Sequence, residues 1–355
     1  MIDSTLLSKI ENHYKRGLPF VLYSLPESSS ITILLQEDNS DYEPHLYSEN
    51  AFHFYPFDDS KRGYCIPYEK ATINYQSTDL IEVANKKLNL IPEKDAEKEY
   101  TQLFEKTIKF ISNKKAEKVV ISRKVSVAIK KIAFEVLLKR LFGIYPHTFR
   151  YLWFHPITGL WCGATPELLL QSSEGYFSTM ALAGTMMGSP GDKVFWGEKE
   201  RNEHQIVVDD IINKLQNILS VIKVSKTHTY EAGPLLHLKT DISGQLKKGK
   251  TSLPVVAANL HPTPAVCGVP RSVSKKFILE NENYNREMYT GYLGPINGAN
   301  DNSYLFVNLR CMKLEKNQAH IFVGGGITNE SNTADEWKET QNKMQPMLQV
   351  LQPFI

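Results

Sequence analysis

The stretch HIFVGGGITNESNTADEWKETQNK, residues 320–343, reads as an apolar strand that runs through glycines into a capped helix. Gly324, Gly325 and Gly326 end the strand, and a loop without side chains leaves backbone N–H groups open to a carboxylate or phosphate. Ser331, Asn332 or Thr333 caps the helix. Beyond the cap, Glu336, Glu339 and Lys343 fall at steps of three and four, which puts two acids and a base on one stripe.

Working outward, the same strand pattern recurs. FVLYSL, ITILLQ, KVVISRKVSVAI, TFRYLWFH, GLWCGATP, ELLLQSS, YFSTMALAGT, YLFVNLRCMKL and AHIFVGG are strand candidates. EKEYTQLFEKTIKFISNKK places Tyr100, Leu103, Phe104, Ile108 and Ile111 on one helical face. Strands outnumber helices, with no βαβ alternation and no long repeat, so the expected fold is α+β: one large domain of stacked, mainly antiparallel sheets flanked by helices. Residues 1–95 are expected to form a strand-rich N-terminal part of that domain, and 96–355 the region that carries the chemistry.

A second acidic block, KERNEHQIVVDDI, repeats the Glu-x-x-Glu spacing with Glu200 and Glu203. Val207 and Ile211 continue the same face, so those carboxylates point toward the core, where they have to be paired or metal-bound. Two such blocks on facing helices suit one hard cation, Mg²⁺. Lys118 opens the strand KVVISR, a position where lysine is ordinarily solvated, and Glu167 follows a proline where a strand meets a turn. HPTPAVCGVPR is a rigid irregular loop. Arg310 alternates with apolar neighbours in VNLRCMKL, either at a sheet edge or reaching into a site for a bidentate carboxylate contact.

With 355 residues, 42% of them hydrophobic and a net charge of +2, the chain is expected to be soluble, with neither nucleic acid nor membrane as partner. Cys65, Cys162, Cys267 and Cys311 show no metal spacing, which suits buried thiols in a reduced, cytoplasmic setting. MIDSTLLSKI lacks the pattern of a secretory signal.

Together, KVVISR, GATPELL, LAGT, KERNEH, HLKTDI, LHPTPAVCGVP, REMYTGYLGPI, LRC, VGGGI and EWKETQNK resemble the chorismate-binding enzyme family, from about Lys118 to Lys343. The resemblance implies a fold of stacked antiparallel sheets, in agreement with the strand-rich reading. It also implies Lys118 as the general base of the water-using members, where ammonia-using members carry glutamine, so no glutaminase subunit is expected. Ala183 stands where aminodeoxychorismate-forming members carry lysine, and Ala265 resembles the small residue of isochorismate synthases. The implied activity is addition of water at C2 of chorismate with loss of the 4-hydroxyl, giving isochorismate, with Glu167 as the acid. The alternatives are a salicylate synthase, which also eliminates pyruvate, and a chorismate-binding protein without turnover. The implied site has Mg²⁺ on Glu203 and Glu339, with Glu200 and Glu336 acting through waters. It places Arg310 and Tyr289 at the enolpyruvyl carboxylate, and Gly184, Thr185, Ala265, Gly324, Gly325, Gly326 and Lys343 around the substrate. His237 either contacts the ring region or is satisfied by backbone. A monomer is expected, and use of the product for menaquinone or a siderophore is a matter of pathway neighbours.

Overall fold

A computed structural model of the chain describes residues 3–81, 88, 95–174, 176–187, 194–216, 218–232, 235–246, 253–298 and 302–355. Its layering follows from alternation along strands that are buried on both sides. In the strand Phe149–His155, Phe149, Tyr151 and Trp153 face one side, where they pack with Phe52, Phe54, Leu293 and Phe306; Leu152 faces the other, among Leu137, Leu141 and Leu348. A strand with two apolar faces has to be covered twice.

The described strands form two nine-stranded antiparallel sheets. One runs in the order β14 (Gly268–Val269), β6 (Lys118–Ala128), β18 (Gln318–Ile327), β17 (Cys311–Leu314), β8 (Gly159–Thr165), β7 (Phe149–His155), β1 (Phe20–Ser24), β2 (Ser30–Gln36), β5 (Ala71–Ser77). The other runs β11 (Leu219–Val224), β13 (Leu235–Leu246), β10 (Tyr176–Met187), β9 (Leu168–Ser173), β16 (Ser303–Val307), β15 (Tyr292–Asn297), β3 (Asn50–Tyr55), β4 (Tyr64–Pro67), with β12 (His228–Ala232) also on β13. The helices are α1 (Ser4–Arg16), α2 (Ala96–Ser112), α3 (Phe134–Ile144), α4 (Glu198–Leu215), α5 (Leu253–Leu260), α6 (Arg271–Asn281), α7 (Thr333–Lys343) and α8 (Gln345–Leu351). Residues of α1, α3 and α8 cover the outer face of the first sheet, and those of α4 and α5 cover the second. Between the sheets lies an aromatic layer, in which Phe149 and Phe306 stack at 4.3 Å. The expected α+β architecture is therefore present. Strands from residues 20–77 contribute to both sheets, so the N-terminal part is integral to them.

Two local expectations are corrected. YLFVNLRCMKL is not one strand: β16 belongs to one sheet and β17 to the other, and the chain turns between them. Asn308 holds the corner. Its backbone N–H donates to the Gly291 carbonyl at 2.8 Å, its side-chain amide donates to the Met288 carbonyl at 2.9 Å, and Tyr151 donates to its Oδ1 at 2.6 Å. Arg310 sits at this corner with φ 46°, so strand alternation does not aim it. The second correction concerns Gly324–Gly326. They are not a loop after the strand but part of it, paired with Ser122, Ile121 and Val120 of β6.

Phe149 is fully buried against Phe306 and Phe52. Replacing Phe149 by Ala is expected to lower the unfolding free energy by about 3–5 kcal/mol in urea titrations; a loss below about 1 kcal/mol would contradict this packing of the layers.

Candidate active site

At one end of the sheets the corner after β16, the turn after β8, strand β10, the 262–267 loop and the glycines of β18 converge around a cavity. Glu167, Gly184, Thr185, Glu203, His237, Ala265, Tyr289, Arg310, Gly324, Gly325, Gly326 and Lys343 all line it. The apolar wall comes from residues that sequence reading did not single out, among them Leu182, Val266, Leu309 and Phe322.

The glycines are explained by what stands against them. A Cβ on Gly325 would lie 2.7 Å from Glu336 Oε2, and one on Gly326 would lie 2.4 Å from Glu203 Oε1 and 2.6 Å from Lys118 Cε. Side chains from β6, α4 and α7 thus occupy the space that any larger residue would fill. Lys118 is fully buried, contrary to the solvated position expected at the start of a strand. Pairing of Val269 with Lys118 in β14–β6 covers it, and its Nζ lies 3.0 Å from Glu203 Oε1 without the alignment of a hydrogen bond.

That contact is one of three. Lys199 donates to Glu336 Oε1 at 2.7 Å, and Lys343 pairs with Glu339 Oε1 at 2.5 Å while donating to the Gly324 carbonyl at 2.9 Å. Each acid is matched by one ammonium, as buried charge requires. Glu336 retains an unpartnered Oε2, is 1% exposed, and is pushed up to about 7 by burial and then by repulsion from Glu339. Burial also opposes charge on Glu203, but Lys118 and more distant lysines outweigh it and hold the group below the ordinary carboxylate range. Among the described residues no three potential ligands converge to metal-binding distance. The donor chemistry nonetheless fits a hard cation: carboxylate oxygens around a deficit of positive charge at Glu336. Glu200 stands apart, its carboxylate folded back so that Oε2 is 2.8 Å from where a Cβ on Gly197 would be. Asn332 is the helix cap, its side chain accepting from the Asp335 N–H. Lys199 is the one member of these pairs that sequence reading missed, although it directly precedes Glu200 in the acidic block.

Opposite this cluster the groups are of another kind. Burial pushes Glu167 up to about 8 against the pull of Lys118, Arg310 and Lys343, so its carboxyl is protonated at neutral pH. Burial lowers His237 to about 3, with Arg310 and Lys343 acting in the same direction. The neutral ring lies 3.2 Å from the Gly184 carbonyl and 3.1 Å from Thr185 Oγ1, both through Nδ1. A carbonyl only accepts, which assigns the proton to Nδ1 and leaves Nε2 as a buried acceptor without a partner. Arg310 is exposed in part, toward the cavity it lines, yet is enclosed deeply enough that burial pulls it down to about 10. It donates to the C-terminal end of α7, at the Lys343 carbonyl, over 3.3 Å, and has no ion-pair partner among the described residues. An enclosed guanidinium without its anion is a ready carboxylate site.

Residues 64–352 match the sequence model of a family described as "Chorismate binding enzyme". The chain belongs to the chorismate-binding enzyme family. The match begins earlier than the motifs from Lys118 onward. The chain is 32% identical to the isochorismate synthase EntC of Escherichia coli over 264 residues, which cover 71% of this chain and 66% of EntC. It is 31% identical to the vibriobactin-specific isochorismate synthase of Vibrio cholerae, over 65% of this chain and 61% of that protein. The matched region therefore spans somewhat less than two thirds of these relatives. In three dimensions it resembles MenF, the menaquinone-specific isochorismate synthase from Escherichia coli, with a TM-score of 0.77 at 22% identity, covering 94% of this chain and 88% of MenF. This likeness establishes the fold.

Between its ordinary value of 4.5 and about 8, Glu167 holds a proton in the folded state that the unfolded chain has released. Stability therefore falls as pH rises through this window. Glu167→Gln cannot ionise, so it is expected to stabilise the protein little near pH 5 and by on the order of a few kcal/mol near pH 8, measured by urea unfolding. An equal effect at both pH values would contradict a buried, protonated Glu167.

Proposed function

We propose that the protein is a Mg²⁺-dependent isochorismate synthase, an isomerase that moves the hydroxyl of chorismate from C4 to C2. The observation that carries this reading is a buried lysine, standing against the Gly326 and Glu203 that line the cavity, together with a lining carboxyl that burial pushes up to about 8. Addition of water at C2 with loss of the 4-hydroxyl needs a base and an acid in the same site. In this reading Lys118, as the base, removes a proton from the attacking water, and Glu167 donates its proton to the departing hydroxyl. Neither group needs external help from ammonia or a glutaminase subunit.

The substrate's two carboxylates account for the remaining charge. Arg310, enclosed and without an acid partner among the described residues, binds the enolpyruvyl carboxylate together with Tyr289. Glu203 and Glu339 would hold Mg²⁺, with Glu336 close by, and the bound ion supplies positive charge for the ring carboxylate. Lys118 then serves as base once its contact with Glu203 is relaxed, and Lys343 steadies the backbone of Gly324. His237 offers Nε2 as an acceptor to a substrate hydroxyl. No helix among the described residues is long and apolar enough to cross a membrane, and Cys65, Cys162, Cys267 and Cys311 are free thiols, which supports a cytoplasmic enzyme.

Incubation of the purified protein with chorismate and Mg²⁺, followed by chromatography, is expected to give an equilibrium mixture of chorismate and isochorismate that EDTA prevents. Lys118→Ala and Glu167→Gln are each expected to lower turnover by about 10²–10⁴-fold. Salicylate with pyruvate as the main products would assign a salicylate synthase instead. Chorismate binding without turnover would remove the enzymatic reading altogether.

A further inference from the structure

The cavity wall is stitched from behind by a residue that does not line it. Arg286 is 2% exposed and follows α6 at the start of the turn that carries Tyr289. All of its N–H donors are engaged. Nε donates to Glu282 Oε2 at 2.7 Å, and Nη2 donates to Glu282 Oε1 at 2.6 Å and to the Val120 carbonyl at 2.7 Å. Nη1 donates to the Val266 carbonyl at 2.9 Å and to Thr290 Oγ1 at 3.2 Å. Glu282 continues the network to strand β6, accepting from the Ser122 N–H at 2.8 Å and hydroxyl at 2.7 Å.

These acceptors belong to separate parts of the wall. Val120 lies two residues after Lys118, Val266 follows Ala265, and Thr290 follows Tyr289; Val120, Val266 and Thr290 themselves line the cavity. Thr290 is a β-branched residue held at φ 59°, a conformation that costs on the order of 1–3 kcal/mol unless its surroundings enforce it. Its hydroxyl, which accepts from Arg286, also donates to the Tyr289 carbonyl at 2.6 Å. One planar guanidinium thus fixes three backbone segments relative to one another. Lysine cannot take its place, because its donors radiate from a single atom.

We infer that the Arg286–Glu282 pair is a positioning device for the reaction, setting the strand of Lys118, the loop of Ala265 and the turn of Tyr289 in one register. The inference rests on the proposed reading of the cavity as the chorismate site. Its test is the Arg286→Lys variant, with kcat for chorismate consumption measured well below the melting temperature and chorismate Kd measured by calorimetry. The expected result is a cooperatively folded protein whose kcat falls on the order of 10- to 100-fold, a larger factor than any rise in Kd, because misplacement costs more in the reacting geometry than in binding. A kcat within about twofold of the parent, or a rise in Kd as large as the fall in kcat, overturns the inference and leaves the pair a purely structural one. Should Arg286→Lys fail to fold, Glu282→Gln, which keeps the side-chain volume, is read by the same two quantities. A parent protein that binds chorismate without converting it fails the functional reading on its own; a converting parent beside an unaffected variant fails only the positioning claim.

Discussion

Glu203, Glu336 and Glu339 are drawn into one end of a protein interior where isolated charge is costly, and each is met there by a lysine from elsewhere in the chain. Much of the surrounding structure follows from that constraint. The strand that passes between these groups carries glycine at Gly325 and Gly326 because acid and lysine atoms already occupy the space beside it, and at Gly324 because the Ile121 carbonyl and Ser122 do. Lys343 ties its own carboxylate partner to the glycine backbone, and Lys118 is sealed against Glu203 at the start of β6.

The same low-polarity interior gives the other side of the cavity its character. Glu167 and His237 are both neutral there, and burial is the leading cause for each. Arg310 has no ion-pair partner among the described residues, and its place at the corner between the two sheets is what brings it to the cavity. The neutral acid, neutral imidazole and enclosed guanidinium thus line one cavity.

The layers were legible because their signal is local. Alternation in TFRYLWFH and spacing in the Glu-x-x-Glu blocks are properties of neighbouring residues, and both survive in the fold. What escaped reading depends on partners distant along the chain. YLFVNLRCMKL alternates like one strand, yet contacts from Gly291, Met288 and Tyr151 to Asn308 divide it between two sheets. Lys118 looks solvated until Glu203 and Gly326 close over it. The three glycines suggest an anion loop, whereas the reason for them is steric and lies in β6, α4 and α7. Arg286 carries no local mark of its role, which exists only where β6, the 262–267 loop and the turn before β15 meet.

The acid role of Glu167 rests on its protonation at neutral pH, which burial maintains. It is tested most directly by following the side-chain carboxyl carbon of Glu167 by NMR in protein labelled with ¹³C-glutamate, with Glu167→Gln used to assign the signal. A titration midpoint at about 8 is expected, and a midpoint near the ordinary value of 4.5 would contradict a buried, protonated Glu167.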